Sequence, residues 1–294
     1  MSDATTPVIG ILGGSGLYQI DGLTDVEWRR VASPFGEASD ELCFGKLGGA
    51  RVVFLPRHGR GHRLPPSEIN FRANVDALKR AGVTELISLS AVGSLREDVP
   101  PGSFVLVDQF IDRTFARAKS FFGTGCVAHV SMAEPVCRRI GDALVSAGEA
   151  AGIAIRRGGT YMVMEGSQFS SLAESRLYRS WGCDVIGMTN MPEAKLAREA
   201  EICYATVAMV TDFDSWHPDH GHVSVDRILR VLLENADRAR SLVKAVVPRL
   251  IADRGPCAAG CDRALEHALI TAPEARDPAL LQKLDAVAGR VLSR

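Results

Sequence analysis

Asp212 and Asp214 stand one residue apart at the end of an apolar run, Met209-Val210-Thr211-Asp212-Phe213-Asp214-Ser215-Trp216. On an extended strand, residues two apart share a face, so both carboxyls would converge on one spot. That spot lies just past the end of a buried strand, where open α/β sheets collect their ligands. Crowding and burial raise carboxyl pKa values, so the pair suits proton donation to a base or leaving group. The same residues also suit a turn in which both carboxylates only cap backbone N–H groups. The pair alone does not separate the two.

Other candidate strand ends carry groups suited to an anion. The first apolar run ends in Gly13-Gly14-Ser15-Gly16, where small residues let backbone N–H groups and the Ser15 hydroxyl approach a ligand. It lacks the third glycine of a dinucleotide fingerprint and the lysine of a Walker loop. A second run ends in Arg57-His58-Gly59-Arg60-Gly61-His62-Arg63, five cationic or potentially cationic side chains in seven residues. Arg as a fork and His as a second donor could clamp phosphate there, although a solvated basic loop has the same composition. A third run ends in Ser90-Ala91-Val92-Gly93-Ser94 and a fourth in Met188-Thr189, each offering a hydroxyl and backbone N–H groups. Four strand ends with such donors point to phosphate or a phosphate ester. Phe169, at the start of a helix pattern, could stack on a heterocycle, though a Phe is far more often core. His129, in a loop before a helix, has only its context to promote it.

The elements needed to position these groups are legible as alternation. Val8 to Leu12, Val52 to Leu55, Glu85 to Ser90, Phe104 to Asp108, Thr160 to Met164, Asp184 to Met188 and Cys203 to Thr211 are short apolar runs of strand character. Helix patterns lie between them, at about 66–80, 134–151, 171–181 and 192–199, and in a long stretch opening at Ser224 as N-cap. Two further helices, about 262–270 and 278–292, form a tail. The alternation predicts an α/β fold: a single domain with a central mixed sheet flanked by helices.

The chain has 294 residues, 46% hydrophobic and 23% charged, enough to bury a sizeable core. Its formal net charge of -1 sets up no global field toward nucleic acid or membrane, so any anion site is local. The apolar runs are short of a membrane span, and the polar arm 1–7 lacks signal-peptide regions. Seven cysteines in apolar segments read as reduced thiols of a cytoplasmic protein. Cys257 and Cys261 form one close pair; without a second pair or a His at ligand spacing, packing or a conditional disulfide is expected rather than zinc.

Taken together, the motifs resemble the trimeric class of purine nucleoside phosphorylases. They are Gly13-Gly14-Ser15-Gly16-Leu17, Pro56-Arg57-His58-Gly59-Arg60, Asn70-Phe71-Arg72-Ala73-Asn74, Ala91-Val92-Gly93-Ser94-Leu95-Arg96, Asp108 to Thr114, Ala173-Glu174-Ser175, Gly187-Met188-Thr189 and Pro192-Glu193. Within that class, Thr211-Asp212-Phe213-Asp214-Ser215-Trp216 followed by Ser224-Val225-Asp226-Arg227 is similar to the 5′-methylthioadenosine phosphorylases. The resemblance covers about residues 8–250, with a helical extension over 251–294 packing on the same domain.

The resemblance implies phosphate-dependent cleavage of 5′-methylthioadenosine to adenine and 5-methylthioribose 1-phosphate. Phosphate would be held by Ser15, Arg57, His58, Ser90, the Ala91 amide and Thr189. Ribose would lie over Met188 and the purine near Phe169, with Asp212 facing N7 and Asp214 close to N6. Val225 and Ile228 would line the methylthio pocket, and His129 would reach it from the neighbouring subunit of a homotrimer. No metal or organic cofactor is implied; phosphate is a co-substrate. Two departures from the family pattern bear on nucleoside preference. Gly166-Ser167-Gln168-Phe169 replaces Gly-Pro-Arg-Phe, and Asn190-Met191 follows Met188-Thr189 where Thr-Val is usual. A 6-oxopurine nucleoside phosphorylase shares this scaffold but has Glu after the Phe and Asn in place of Asp212. A catalytically idle nucleotide-binding protein is the rival from another class.

Overall fold

The computed structural model describes residues 7–14, 17–218, 225–253 and 255–292, with residues 225–229 described by their backbone alone. Its strands are β1 (Val8–Gly13), β2 (Leu23–Arg29), β3 (Leu42–Leu47), β4 (Ala50–Pro56), β5 (Val83–Ser94), β6 (Phe104–Val107), β7 (Gln109–Asp112), β8 (Ile155–Arg157), β9 (Thr160–Val163), β10 (Val185–Gly187) and β11 (Cys203–Asp212). The α-helices are α1 (Phe71–Arg80), α2 (Arg138–Ala150), α3 (Leu172–Ser180), α4 (Asn190–Glu199), α5 (Val225–Ala252), α6 (Pro278–Lys283) and α7 (Asp285–Leu292).

All these strands belong to one mixed sheet. Its main path runs β2-β3-β4-β1-β5-β10-β9-β7, and β11, β6 and β8 branch from β5. The centre is parallel: β4, β1, β5 and β11 run the same way, so Pro56, Gly13, Ser90 and Asp212 arrive at the same end. β5 also forks the sheet. Its pairing with β1 stops at Ser88, and antiparallel β10 joins only at Gly93 and Ser94. One edge of the four residues between is therefore left without a neighbouring strand. A gap of this kind, at a switch in strand order, is where α/β sheets take ligands.

Helices cover both faces because the side chains alternate. Val8 and Leu12 of β1, Val53 and Leu55 of β4 and Val210 of β11 pack with Phe71, Val75 and Leu78 of α1 and Leu196 of α4. Ile9, Ile11, Val52, Phe54 and Val207 face the other way, onto Ile140 and Leu144 of α2 and Leu242, Val243 and Val246 of α5. The tail joins the first cluster through Leu265, Leu284 and Val287.

Several boundaries differ from expectation. The pattern at 66–80 divides into a 3-10 turn, Pro66–Glu68, and α1, which starts where Asn70 Oδ1 accepts from the Ala73 N–H. The tail pattern at 262–270 is only a 3-10 turn, Cys261–Arg263, and the stretch 278–292 breaks at Leu284 into two helices. Four strands are unexpected: β2, β7 and β8 are largely exposed or half-buried, so no apolar run announces them, and in β3 the apolar stretch Leu42-Cys43-Phe44 is cut short by Gly45 and Lys46. Cys257 and Cys261 are not a lone pair either: Cys137 and Cys203 lie beside them. The second pair was invisible because its members are distant in the chain.

Candidate active site

At the fork, Ser90 and Thr189 are both buried, and their hydroxyls meet at 3.1 Å. The antiparallel entry of β10 brings Thr189 back along β5 to this point. Ser90 Oγ also lies 3.2 Å from the hydroxyl of fully buried Tyr161. Leu89 turns its carbonyl into the gap, where it accepts from Arg57. Residues two apart on a strand turn their backbone groups the same way, so the Ala91 N–H opens onto the gap as well. Ala91 is itself exposed between two buried neighbours. Two hydroxyls and the outward-facing Ala91 N–H compose an anion site just before α4, whose first turn is broken at Met191 by an extended backbone (φ -120°, ψ 132°).

The basic loop divides. Arg60 turns to Asp40 and Glu41, and Arg63 donates to the Ser39 carbonyl, so neither faces the gap. The expected five-fold clamp reduces to Arg57 and His58: Asp40 and Glu41 capture Arg60, the Ser39 carbonyl takes Arg63, and the His62 ring stacks on His58 at 4.1 Å between centroids. Arg57 is 2% exposed, and its fork closes on Glu193: Nε donates to Oε2 at 2.8 Å and Nη2 to Oε1 at 3.2 Å. Nη2 also reaches Ser88 Oγ at 2.6 Å. The fork expected to grip a ligand is thus committed within the protein. The charge beside the gap and the second Nη1 hydrogen are what Arg57 can offer an anion. His58 Nδ1 faces the Leu64 carbonyl at 2.9 Å, so that nitrogen must carry the proton. Burial pushes the His58 pKa down to about 4, the Leu64 hydrogen bond opposing it and Arg57 adding to it. The ring is therefore neutral near pH 7, with a lone pair on Nε2.

Asp212 and Asp214 converge, but by a turn rather than by strand alternation. β11 ends at Asp212, and Asp214 adopts a left-handed φ of 51°. The Asp214 N–H then donates to Asp212 Oδ1 at 2.8 Å, and Thr211 Oγ1 donates to Asp212 Oδ2 at 2.7 Å. The capping role and the clustering are thus both realised. Asp214 is 6% exposed and takes the Ser170 hydroxyl at 2.6–2.7 Å, whereas Asp212 keeps partial access to solvent. Burial raises both carboxyl pKa values; for Asp212 the charge of Asp214 adds to it, while the Thr211 and Asp214 hydrogen bonds oppose it. Gly93 permits the approach: a Cβ there would sit 3.0 Å from Asp212 Oδ1 and 3.2 Å from the Asp214 Cβ.

A family model of the phosphorylase superfamily matches residues 8–248. The S-methyl-5′-thioadenosine phosphorylase of Rhodospirillum rubrum is 64% identical over 293 residues, 99% of this chain and 100% of that one. That of Cereibacter sphaeroides is 63% identical over 285 residues, 97% of this chain and 98% of its own. A crystal structure of a methylthioadenosine phosphorylase from an Antarctic soil metagenomic library matches with a TM-score of 0.91 at 47% identity, over 96% of this chain and 99% of that one. This chain belongs to the phosphorylase superfamily.

Some of the phosphorylase's site lay beyond sequence reasoning. Asn190, one of the departures from the family pattern, is fully buried, and its amide reaches Ser88 Oγ at 3.0 Å, Thr206 Oγ1 at 3.0 Å and the Tyr204 hydroxyl. Tyr204 in turn donates to Glu193 Oε1 at 2.8 Å. This network fixes Arg57 from behind, and its members Ser88, Tyr204 and Thr206 carry no local motif. Arg117 ties the loop after β9 to the start of α4: it donates to the Met188 carbonyl at 2.6 Å, the Met191 carbonyl at 2.7 Å and the Glu165 carbonyl at 2.6 Å. Hydrogen bonds from Ser67 and the Phe115 and Ala116 N–H groups outweigh burial and hold the Glu165 carboxyl down at about 2.

Other expected site residues are spread more widely. Phe169 is 46% exposed on its loop, beside exposed Ser167 and Gln168. Met188 is half-buried against Gly166, where a Cβ would meet its sulfur at 2.6 Å. His129 is exposed, on a loop whose backbone N–H donates to the Ala268 carbonyl of the tail. Ser15 and the side chains of Val225 and Ile228 lie outside the described residues. Among the described residues, the one group of three or more side chains placed to hold a metal is the four cysteines, which have no part in this site.

Proposed function

We propose that this phosphorylase transfers the 5-methylthioribosyl group of 5′-methylthioadenosine to phosphate, releasing adenine. The observation that carries the reading is Asp212, an accessible carboxyl with a raised pKa at the sheet end that also gathers the anion donors. Near-full-length identity to proteins named for that activity supports the substrate. The ribosyl group becomes cationic as the N-glycosidic bond breaks. A phosphate dianion held by Ser90, Thr189, the Ala91 amide and the Arg57 charge, with Ser15 and His58, stabilises that cation and attacks C1′. The departing adenine gathers negative charge, and protonated Asp212 donates to N7. Asp214, beneath it, keeps Asp212 raised and orders the N6 edge. Ribose lies over Met188 and the purine against Phe169, with Val225 and Ile228 around the methylthio group.

The reaction uses no metal or organic cofactor. The enzyme works in the cytoplasm as a homotrimer in which a neighbour's His129 closes the 5′ pocket. No helix among the described residues is long and apolar enough to cross a membrane. A preference for 6-oxopurines is disfavoured because Asp214, an acceptor at the N6 edge, would face the carbonyl of a 6-oxopurine acceptor to acceptor.

The test is product analysis of 5′-methylthioadenosine incubated with and without phosphate. Adenine and 5-methylthioribose 1-phosphate should form only with phosphate. Equal adenine release without phosphate would mean hydrolysis, and no release in either buffer would remove the substrate assignment.

A further inference from the structure

At the opposite end of β11 from Asp212, four cysteine sulfurs meet. Cys137, Cys203, Cys257 and Cys261 are all buried, and their Sγ atoms all lie within 4.8 Å of one another. They come from separate parts of the chain. Cys137 is the N-cap residue of α2, and Cys203 opens β11. Cys257 and Cys261 flank a tight turn closed by the Gly260 N–H on the Cys257 carbonyl at 2.8 Å, with Gly260 at a left-handed φ of 67°. The Cys137 N–H donates to the Tyr204 carbonyl at 2.7 Å, which locks the first two positions together. We propose that these four thiolates form a structural zinc site that pins the tail segment to the sheet.

Three observations carry the assignment. The first is shape. Tetrahedral zinc with Zn–S bonds of about 2.3 Å spaces its sulfurs about 3.8 Å apart. Cys137 and Cys257 stand 3.7 Å apart, far beyond a disulfide bond of about 2.05 Å. Two disulfides would need only pairwise approach, whereas a shared central ion needs all four sulfurs together. The spacing Cys257-x₃-Cys261 also falls within that of zinc-binding turns.

The second observation is chemical. The donors are sulfur only, a set suited to zinc rather than to magnesium or calcium. Four thiolates around Zn²⁺ carry a net charge of two minus, which needs compensation inside a protein. The Ile140 N–H at the start of α2 reaches the Cys137 sulfur, Arg198 lies within electrostatic reach of Cys261, and Arg139, ion-paired with Glu85 at 2.6 Å, borders Cys137 and Cys203. The third is position. Four protein ligands fill the tetrahedron and leave no place for substrate, as in structural rather than catalytic zinc sites. The ten-residue run of β11 from Cys203 to Asp212 also separates the cluster from the active site by roughly 30 Å.

The full chain, purified without chelator from zinc-supplemented cells and dialysed against metal-free buffer, should contain about one zinc per chain by elemental mass spectrometry. Mercurial titration of the thiols should release it. Replacement of zinc by Co²⁺ should give the intense visible and thiolate charge-transfer bands of a tetrahedral sulfur site. Cys257→Ser/Cys261→Ser should abolish both signals, lower Tm and leave the KM for 5′-methylthioadenosine within about twofold. If that variant does not fold, Cys257→Ser alone should still lose the four-sulfur cobalt spectrum. Protein free of metal would overturn the assignment, whether its four thiols titrate freely or are joined as disulfides. Iron in place of zinc, or cobalt bands unchanged by the serine variants, would overturn it as well.

Discussion

The neighbours of Asp212, rather than its residue type, move its pKa toward the protonated state that the proposed chemistry uses. Burial and Asp214 raise it, and only its partial exposure lets it meet a ligand. Asp212→Asn should reduce kcat for 5′-methylthioadenosine by about a hundredfold or more, the usual contribution of a general acid, with a smaller change in KM. Relative use of inosine-type nucleosides should rise. A kcat within a few-fold of wild type in steady-state assays would make Asp212 structural. His58 supplies a second expectation. It is neutral in the free protein because burial holds its pKa at about 4, and its Nε2 can donate to phosphate only after taking a proton. A bound dianion favours that proton. Phosphate binding should therefore take up protons even at about pH 8, where free phosphate is already a dianion. Calorimetry in buffers of different ionisation enthalpy measures this, and His58→Asn should abolish it. The same depressed pKa fixes the stability effect. Between about 4 and the unfolded value near 6.5 the unfolded chain binds the extra proton, so the His58 contribution to stability is full above that window and is lost as pH falls through it.

At the scale of elements, the site depends on contacts between β5, α4 and β11. Glu193 of α4 is fully buried and bonded to both Arg57 and Tyr204, so it holds the helix against two strands. Glu193→Ala would leave Arg57 charged, buried and unpaired, which costs about 3–5 kcal/mol for broken pairs of this kind. Urea unfolding should show the loss, and an unchanged midpoint would mean that the network does not bear on stability. Gly93 in β5 makes a different demand. Gly93→Ala would crowd Asp212 Oδ1 at 3.0 Å and the Asp214 Cβ and Ile186 Cγ2 at 3.2 Å, so it should lower Tm modestly and impair turnover more strongly through the displaced carboxyl. Comparing kcat with Tm for this one variant separates positioning from folding.

For the whole molecule, assembly is the property of consequence. In the single chain His129 is exposed and held on a loop by the tail. A role for it in the proposed pocket requires a neighbouring chain, and cyclic symmetry would repeat the contact at each interface. Sedimentation should therefore find a trimer. His129→Ala should weaken binding of 5′-methylthioadenosine more than binding of phosphate. A fully active monomer would remove His129 from the site.

How far sequence reasoning reached follows from what each feature depends on. β1, β5 and β11 were legible because strands buried on both faces need continuous apolar runs, and the glycines and hydroxyls at their ends are local signals. Ser90, Thr189 and Asp212 could be singled out for the same reason. The edge strands β2, β7 and β8 are held by pairing rather than by burial, so their residues carry little pattern. Tertiary structure alone decided that Arg57 spends its fork on Glu193, that Arg60 turns away to Asp40, and that Asp214 is buried while Asp212 is not. It also brought Cys137 and Cys203 to Cys257 and Cys261. Each of these is a meeting of residues far apart in the chain. A sequence specifies the donors and acceptors available, but which partner each one takes depends on distances that exist only after the sheet has formed.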